Sequence, residues 1–146
     1  MKTELVKDWM TPDPVCVMPS TTLPEALNLM QERHIRRLPV VAKGKLVGIV
    51  TRGDLRGAQP SEATSLSIYE INYLISRLTL DRLMTKQVFT VTPGATIGEA
   101  ARLMLRHAIA GLPVVVDGRV VGILTESDIF RMVVTRWEAE KEAVPA

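Results

Sequence analysis

The chain of 146 residues is about as long as one average domain, which is enough to bury a single sizeable core. Its 47% of hydrophobic and 23% of charged residues are typical of a globular protein and exclude a disordered or fibrous chain. The net charge of +2 is too small to predict sequence-independent binding of nucleic acid, which needs a concentrated basic face.

The N-terminal stretch and the cysteine content bear on the compartment of the protein. The opening MKTELVKDWM mixes charged with apolar residues and lacks the continuous apolar core of a signal peptide. No apolar run approaches the length of a membrane span. The single cysteine, Cys16, cannot form an internal disulfide, which suggests a reducing compartment. We therefore expect a cytoplasmic protein that neither enters a membrane nor binds nucleic acid.

The two halves of the chain repeat one another without a gap at an offset of 74 residues. The clearest pair is GIVTRGDL at 48–55 and GILTESDI at 122–129. Roughly 20 identities in about 51 aligned positions indicate a tandem duplication. The predicted segments are a first repeat at 6–57, a connecting helix at 58–79, a second repeat at 80–131 and a helical tail at 132–146.

Each repeat opens with a predicted strand and continues with a predicted helix. The β-branched and aromatic runs at 15–17 and 88–91 end before a proline, as strands do. The sequences TLPE at 22–25 and TIGE at 96–99 have the spacing of a capping box at a helix start. Apolar residues at helical intervals follow each box, which predicts a helix with one buried face.

A hairpin and a second helix complete each repeat. The apolar runs at 38–41 and 112–116 are each followed by a two-residue turn, Lys43-Gly44 and Asp117-Gly118, and by another apolar run. Such turns favour a hairpin because both positions tolerate a positive φ. The next helix is predicted to start near Thr51 in the first copy and near Thr125 in the second.

The stretch PSEATSLSIYEINYLISRL at 60–78 predicts a connecting helix with the hydroxyls of Ser61 and Thr64 near its start. Leu66, Tyr69 and Tyr73 share one stripe of this helix. The stripe covers the core of its own chain or also contacts a second subunit, and the sequence leaves both open. The tail from 132 to 142 predicts a continued helix that carries Trp137.

The repeated Thr-x-x-Asp at Thr51 and Asp54, and at Thr125 and Asp128, has two interpretations. It is a good capping box, with a hydroxyl at the cap and a carboxylate in the first turn. The same residues suit a ligand, because free helical N–H groups bind phosphate and a carboxylate accepts hydrogen bonds from a ribose diol. The glycines that precede each box, at 48 and 122, leave space for a close approach and favour the second interpretation.

The doubled pattern LPVV…G…VGIVTxxD resembles the cystathionine β-synthase (CBS) domain pair, or Bateman module, over about residues 6–131. The resemblance implies an α+β fold of two βαββα repeats that pack about a pseudo-twofold axis and leave two equivalent clefts. It also implies homodimers, and a regulatory adenosine ligand such as AMP, ADP, ATP or S-adenosylmethionine in place of an obligatory cofactor.

The resemblance assigns site residues by matching motifs. It implies that Asp54 and Asp128 hold ribose hydroxyls and that Thr51 and Thr125 face phosphate. In family members the adenine lies against groups before LPVV and beside the opening strand, often from the partner repeat. These positions correspond to Thr11, Val15, Ile35 and Arg36 in the first copy and to Thr85, Phe89, Ile109 and Ala110 in the second.

The two copies differ at one position that the resemblance makes important. Arg37 stands where nucleotide-binding relatives such as the γ subunit of AMP-activated kinase carry an arginine that contacts phosphate, whereas the second copy has Gly111 there. Arg36 and Arg37 together form a small cationic spot, which either grips phosphate oxygens or is simply solvated. We expect the two clefts to differ in affinity for anions.

The sequence lacks the residue sets that catalysis requires. It shows no nucleophile with a base, no paired carboxylates with unequal surroundings, no metal set and no GxxxxGK[ST] loop, so we predict that the protein is not an enzyme. His34 and His107 stand near helix ends, where an imidazolium complements the dipole better than it would ligate a metal.

Two functions of different classes follow from these patterns. The first is a sensor module in which a bound nucleotide changes the arrangement of the chain or its affinity for a separate effector protein. The alternative is a ligand-free interaction scaffold whose Thr and Asp only cap helices. The connecting stretch is also similar to that of bacterial CBS proteins grouped with acetoin-utilisation regulators, which usually continue into a further C-terminal domain.

Overall fold

A computed structural model describes residues 4–59 and 65–143. The helices in these ranges are α1 (Val6–Trp9), α2 (Leu23–Arg33), α3 (Arg52–Gly57), α4 (Ile68–Arg77), α5 (Leu80–Leu83), α6 (Ile97–His107) and α7 (Glu126–Ala143). The strands are β1 (Thr11–Pro12), β2 (Arg37–Ala42), β3 (Lys45–Thr51), β4 (Gly111–Val116) and β5 (Arg119–Thr125). The prediction of an α+β fold with repeated βαββα-like units is confirmed.

The described residues form two compact units. The Asp54 unit contains residues 15–59 and 65–88, and the Asp128 unit contains residues 4–14 and 89–143. The segment that begins each sequence repeat therefore lies in the unit built from the other repeat. Helix α1 and strand β1 pack on β5 in the Asp128 unit, and α5 packs on β3 in the Asp54 unit.

Each unit is built on an antiparallel hairpin, as the turn sequences predict. Strand β2 pairs with β3, and β4 pairs with β5. The turn residues have positive φ, 51° at Lys43 and 78° at Gly44, and 50° at Asp117 and 80° at Gly118. This is the conformation that matches the twist of the flanking strands in a two-residue hairpin. The predicted hairpins are confirmed in both units.

The predicted opening strands at 15–17 and 88–91 are wrong in extent. Each is reduced to one residue in an isolated parallel bridge, Val17 with Val40 and Val91 with Val114. Val17 donates its N–H to the carbonyl of Pro39 at 3.0 Å and accepts from the N–H of Val41 at 2.8 Å. The pairing stays this short because proline has no N–H to extend a strand ladder.

The predicted helix starts are confirmed. The Thr96 hydroxyl accepts from the N–H of Glu99 at 3.1 Å and the Glu99 carboxylate accepts from the N–H of Thr96 at 3.4 Å, a full capping box for α6. The Thr22 hydroxyl caps α2 by accepting from the N–H of Glu25 at 3.4 Å. Helix α7 extends through Ala143, so the continued helix of the tail is confirmed as well.

A separate hydrophobic core lies inside each unit, between the hairpin and the helices. Full burial of one aliphatic side chain contributes about 1.5–3 kcal/mol. The core of the Asp54 unit contains Val17, Leu23, Ala26, Met30, Leu38, Val40, Val50, Leu55 and Leu80. The core of the Asp128 unit contains Val6, Trp9, Ile97, Ala100, Met104, Leu112, Val114, Leu124 and Met132.

The connecting helix is shorter than predicted. It begins at Ile68, where the Ser67 hydroxyl accepts from the N–H of Glu70 at 3.2 Å, and the predicted hydroxyls at 61 and 64 lie outside the described residues. Ile75 packs on the core of the Asp54 unit, but Tyr69 and Tyr73 are 84% and 56% exposed. The stripe of the two tyrosines therefore does not cover the core of this chain.

None of the helices within 4–59 and 65–143 is long and apolar enough to cross a membrane.

Candidate functional site

The Thr-x-x-Asp of the Asp54 unit joins the end of β3 to α3. The Thr51 hydroxyl accepts from the N–H of Asp54 at 3.1 Å, and Oδ2 of Asp54 accepts from the N–H of Thr51 at 3.0 Å, which completes a capping box. Asp54 is exposed, and its Oδ1 accepts no hydrogen bond from any residue that the structure describes. The predicted cap is formed and leaves most of the carboxylate accessible.

Three arginines have backbone positions next to this capping box. Arg37 is the partner of Thr51 in the β2–β3 register, and the carbonyl of Arg36 accepts from the N–H of Arg52 at 2.7 Å. Arg36 and Arg52 are exposed, and Arg37 is half-buried. The Asp54 unit thus has three arginines whose backbones adjoin the box with the exposed carboxylate, and guanidinium groups suit the oxygens of a phosphate.

Three more predicted site residues lie in the Asp54 unit. Thr85 is exposed and forms an antiparallel bridge with Ile49, which lies two residues before the box. The N–H of Thr85 donates to the carbonyl of Ile49 at 2.9 Å, and the N–H of Ile49 donates to the carbonyl of Thr85 at 3.0 Å. Val15 and Ile35 are half-buried and pack against the core of the unit. The structure therefore brings Thr85 to the same strand as Thr51, whereas Val15 and Ile35 belong to the apolar wall behind it.

The second Thr-x-x-Asp, in the Asp128 unit, is engaged differently. Oδ2 of Asp128 accepts from the N–H of Thr125 at 2.9 Å and from its hydroxyl at 3.2 Å. Oδ1 accepts from the guanidinium of Arg131 at 3.1 Å in an ion pair. Asp128 is buried, with 8% of its surface exposed. Both oxygens of this carboxylate therefore already have partners.

The remaining predicted residues of the Asp128 unit surround this pair. Exposed Thr11 pairs with Ile123 through β1 and β5, and the carbonyl of Ala110 accepts from the N–H of Glu126 at 3.1 Å. Ile109 is half-buried and packs against the core. Gly111 is the partner of Thr125 in the β4–β5 register, so no arginine stands opposite this threonine.

Phe89, predicted to contact adenine, stacks on His107 with ring centroids 3.7 Å apart and planes at 15°. The sequence gives no sign of this pair, because the two residues are 18 positions apart and only the packing of the unit brings them together. The Phe89 ring is still partly exposed.

The grouping of site residues by sequence copy differs from their grouping in space. Thr11 belongs to the first copy but lies beside Asp128, and Thr85 belongs to the second copy but lies beside Asp54. The reason is the antiparallel pairing of the segment that begins each repeat with β5 or β3 of the other sequence repeat. The offset of 74 residues shows which residues are equivalent but not which pair.

The glycines before each box have a different role from the predicted close approach of a ligand. A Cβ on Gly48 would lie 2.8 Å from Cγ of Met84, and a Cβ on Gly122 would lie 3.0 Å from Cγ of Met10. These glycines leave space for the methionine that follows α5 or α1. A methionine fills the space at each Cβ position, so the prediction that this space admits a ligand is wrong.

Two polar differences between the units were missed by sequence reasoning. At the offset of 74 residues Arg131 corresponds to Gly57, and Glu126 corresponds to Arg52. The alignment contains both differences, but only the structure shows that Arg131 binds Asp128 and that residues 52 and 126 occupy equivalent backbone positions. The difference at 52 and 126 puts a cationic residue directly after Thr51 and an acidic residue directly after Thr125.

A polar network continues from Asp128 through Trp9. Arg131 also donates to the carbonyl of Trp9 at 2.9 Å, and the Trp9 indole N–H donates to the buried carboxylate of Glu4 at 2.7 Å. Arg136 forms an ion pair with Glu4. The hydrogen bonds from Arg136 and from Trp9 hold the pKa of Glu4 below its ordinary value of 4.5.

Within the described ranges no three His, Cys, Asp or Glu side chains come together in a way that would hold a metal ion. His34 is the C-cap of α2, and His107 is the last residue of α6. Both histidines therefore lie at helix ends, as the sequence predicts.

Repeated hairpin-and-helix units, each with a Thr-x-x-Asp box where the hairpin meets a helix, define a tandem α+β module. The family model for the CBS domain matches residues 6–61 and 80–135. The chain therefore belongs to the CBS domain family, and its two matched ranges form a CBS domain pair.

Solved structures of similar length share this fold. A Vibrio cholerae protein provisionally assigned to acetoin utilization (AcuB) is 35% identical with a TM-score of 0.78, over 97% of this chain and 98% of that one. The CBS domain pair of protein MJ0100, in complex with 5′-methylthioadenosine and S-adenosyl-L-methionine, is 31% identical with a TM-score of 0.75, over 90% and 97%. CBSX2 from Arabidopsis thaliana, in complex with AMP, is 34% identical with a TM-score of 0.74, over 90% and 97%.

The chain spans between 22% and 46% of the length of the first curated relatives it matches, several of which are enzymes.

Proposed function

We propose that this CBS domain pair is a regulatory module that binds an adenosine nucleotide, AMP, ADP or ATP, or S-adenosylmethionine. The observation that carries the proposal is the exposed carboxylate of Asp54, whose Oδ1 no described residue uses, beside the exposed arginines 36 and 52. A carboxylate accepts two hydrogen bonds from a ribose diol, and guanidinium groups bind phosphate oxygens. Carboxylate and arginines together match a phosphorylated nucleoside.

The solved neighbours support this ligand class. One of them holds AMP, and another holds 5′-methylthioadenosine and S-adenosyl-L-methionine. These ligands share an adenosine moiety and differ in charge. We assign the ribose contact to the Asp residues and the phosphate contact to Thr51 and the arginines of the Asp54 unit. The half-buried Ile35 and Val15 supply the apolar surface for the adenine ring.

The proposed activity is regulation by binding and involves no catalysis by this chain. A ligand that binds one arrangement of the chain more tightly shifts the population toward that arrangement by its differential affinity. By linkage, the ligand changes the affinity for a separate effector protein by the same factor by which that effector changes the affinity for the ligand. We also propose that the chain forms a homodimer, because helices α4 and α7 both carry exposed apolar side chains.

A thermal unfolding screen tests the ligand class. Ligand at a hundredfold excess over its Kd stabilises the folded state by about 2.7 kcal/mol, which raises the Tm of a chain of this length by roughly 5–10 °C. The panel is AMP, ADP, ATP, S-adenosylmethionine and, as the non-adenine comparison, GMP. We expect a shift with at least one adenosine compound and a smaller shift with GMP.

The double substitution Asp54→Asn with Asp128→Asn keeps the shape of both side chains and removes both charges, and we expect it to abolish the shift. Asp81→Asn is the matched control, because Asp81 is exposed in the same unit and receives a hydrogen bond from Thr79 instead of lying at the site. No shift with any compound of the panel would overturn the proposal.

The same screen addresses the alternative of a ligand-free scaffold. The complete capping box of Thr51 and Asp54 favours that alternative, because a cap alone is sufficient reason for both residues. A scaffold predicts that the double variant unfolds at a lower temperature than the wild type and that neither protein responds to nucleotide.

A further inference from the structure

We infer that Arg131 acts as an internal occupant of the second site and makes the Asp54 unit the one that binds a ribose. The inference rests on the proposed function and adds which carboxylate is used and which residue decides it. The inference rests on a difference between Asp54 and Asp128: the two residues are equivalent in the sequence repeat, but their carboxylates accept different hydrogen bonds.

The lone pairs of the carboxylates show the difference. Each carboxylate offers about four acceptor positions, two on each oxygen. Three described donors use Asp128: the N–H and the hydroxyl of Thr125 on Oδ2, and Arg131 on Oδ1. The donors of Thr125 already use both positions on Oδ2, so a ribose diol has to bind through the two positions on Oδ1 and must displace Arg131 from one of them. The carboxylate of Asp54 accepts from one described donor, the N–H of Thr51, and has room for both hydroxyls.

The Arg131 side chain is held in place by more than the ion pair. It donates to the carbonyl of Trp9 at 2.9 Å, and its guanidinium lies 5.4 Å from the centre of the Trp9 ring. A cation over an indole face adds about 0.5–1 kcal/mol at exposed sites. Because Trp9 itself is in the core, the guanidinium is fixed relative to the unit and stays beside Asp128.

The charges around the two boxes favour the same choice. Arg36 and Arg52 of the Asp54 unit correspond to Ala110 and Glu126 of the Asp128 unit. In each unit the N–H of the second residue donates to the carbonyl of the first, so the two pairs have equivalent backbone positions. A nucleotide phosphate that approaches the Asp128 box meets the carboxylate of Glu126 where it would meet a guanidinium at the Asp54 box. We therefore expect one adenosine nucleotide per chain.

Isothermal titration calorimetry with AMP measures this directly. We expect a stoichiometry of one per chain for the wild type, a loss of about tenfold or more in affinity for Asp54→Asn, and unchanged affinity for Asp128→Asn. A wild-type stoichiometry of two, or an equal loss in both single variants, would overturn the inference.

Arg131→Met removes the guanidinium and keeps an unbranched side chain against Trp9. We expect a second AMP to bind this variant more weakly than the first, because its ribose finds Oδ1 of Asp128 open while its phosphate still meets Glu126, and we expect the added Asp128→Asn to abolish that second event. Arg136→Met is the matched control, because Arg136 lies over the same ring at 5.8 Å but pairs with Glu4 instead of Asp128. We expect it to bind one AMP.

The outcomes separate the inference from the proposed function. One AMP on the wild type and one on a folded Arg131→Met variant would reject the role of Arg131 and leave the proposed function standing. No AMP on either protein, together with no response to the other adenosine compounds, would reject both. If Arg131→Met does not fold by circular dichroism, the contrast between Asp54→Asn and Asp128→Asn still decides whether the Asp54 unit alone binds.

Discussion

At the scale of single residues, glycine is conserved between the repeats where it prevents a clash inside a unit. A Cβ on Gly122 would lie 3.0 Å from Cγ of Met10 and 3.1 Å from the carbonyl oxygen of Thr11. A backbone oxygen cannot move aside as the end of a side chain can. The repeat of Gly48 and Gly122 is therefore explained by packing against the segments after α5 and α1.

We predict that Gly122→Ala destabilises the protein by about 1–3 kcal/mol, the usual cost of overpacking. Urea unfolding monitored by circular dichroism gives the change in free energy. Gly57→Ala is the control, because a Cβ at Gly57 meets nothing within 4 Å and alanine favours a helix. Equal free energies of unfolding for the two variants would show that Met10 and the β1 backbone move without cost.

Sequence reasoning was reliable at residues whose role is local. The Thr51 and Thr96 boxes and the turns at 43–44 and 117–118 depend on a few neighbouring residues, so their sequence is sufficient to predict them. It failed at Gly122, whose neighbour Met10 is distant in the sequence. It also failed at Asp128, whose partner Arg131 is only three residues away but has no counterpart at Gly57 in the other copy.

At the scale of elements, the long helix α7 is fastened to the N-terminal segment of the Asp128 unit by an ion pair. Arg136 on α7 binds the buried carboxylate of Glu4, which also accepts from the Trp9 indole. The hydrogen bonds from Arg136 and Trp9 lower the pKa of Glu4 in the folded state from 4.5. This contact has no counterpart in the Asp54 unit, since positions 62 and 78 are Glu and Leu where Arg136 and Glu4 would correspond.

We predict that Glu4 makes folding sensitive to acid. A group with a lowered folded pKa contributes stability that is fully present above its unfolded value of 4.5 and is lost as the pH falls through the folded pKa. The free energy of unfolding of the wild type should therefore fall more steeply below about pH 4.5 than that of Glu4→Gln. Urea unfolding at a series of pH values measures both slopes.

Glu138→Gln is the control for this prediction, because Glu138 is exposed on the same helix. It should keep the acid slope of the wild type. Identical slopes for the wild type and Glu4→Gln would mean that the ion pair with Arg136 opens in solution.

The pairing of elements also explains why the opening strands are shorter than predicted. The runs at 15–17 and 88–91 have strand composition, but the prolines in β2 and β4 limit their pairing to single bridges at Val17 and Val91. Composition reports the propensity of a segment, whereas the length of a strand depends on the N–H groups of its partner.

At the scale of the whole molecule, the chain leaves apolar surface exposed on its longest helix. Phe130 lies three and four residues before Val133 and Val134 on α7, Trp137 lies four and three residues after them, and each of the four is at least 45% exposed. This spacing places them on one face of the helix. Contiguous exposed apolar surface of this kind marks an interface more often than it marks a solvated face.

We choose α7 over α4 as the dimer contact. The exposed face of α4 contains Tyr69 and Tyr73, whose hydroxyls suit water, and Arg77 lies over the Tyr73 ring at 4.7 Å. The face of α7 offers aliphatic and phenyl groups that gain more from burial, at roughly 25 cal/mol per Å².

We predict that the wild type is a dimer in solution and that Phe130→Glu combined with Val134→Glu is a monomer, because two charges on adjacent turns cannot be buried in an apolar contact without a large cost. Sedimentation equilibrium gives the mass of each protein. Leu105→Glu is the control: Leu105 is 84% exposed and belongs to a different helix, α6, so its substitution should leave the dimer intact. A monomeric wild type would contradict the prediction, and a dimeric double variant would move the interface to the tyrosines of α4.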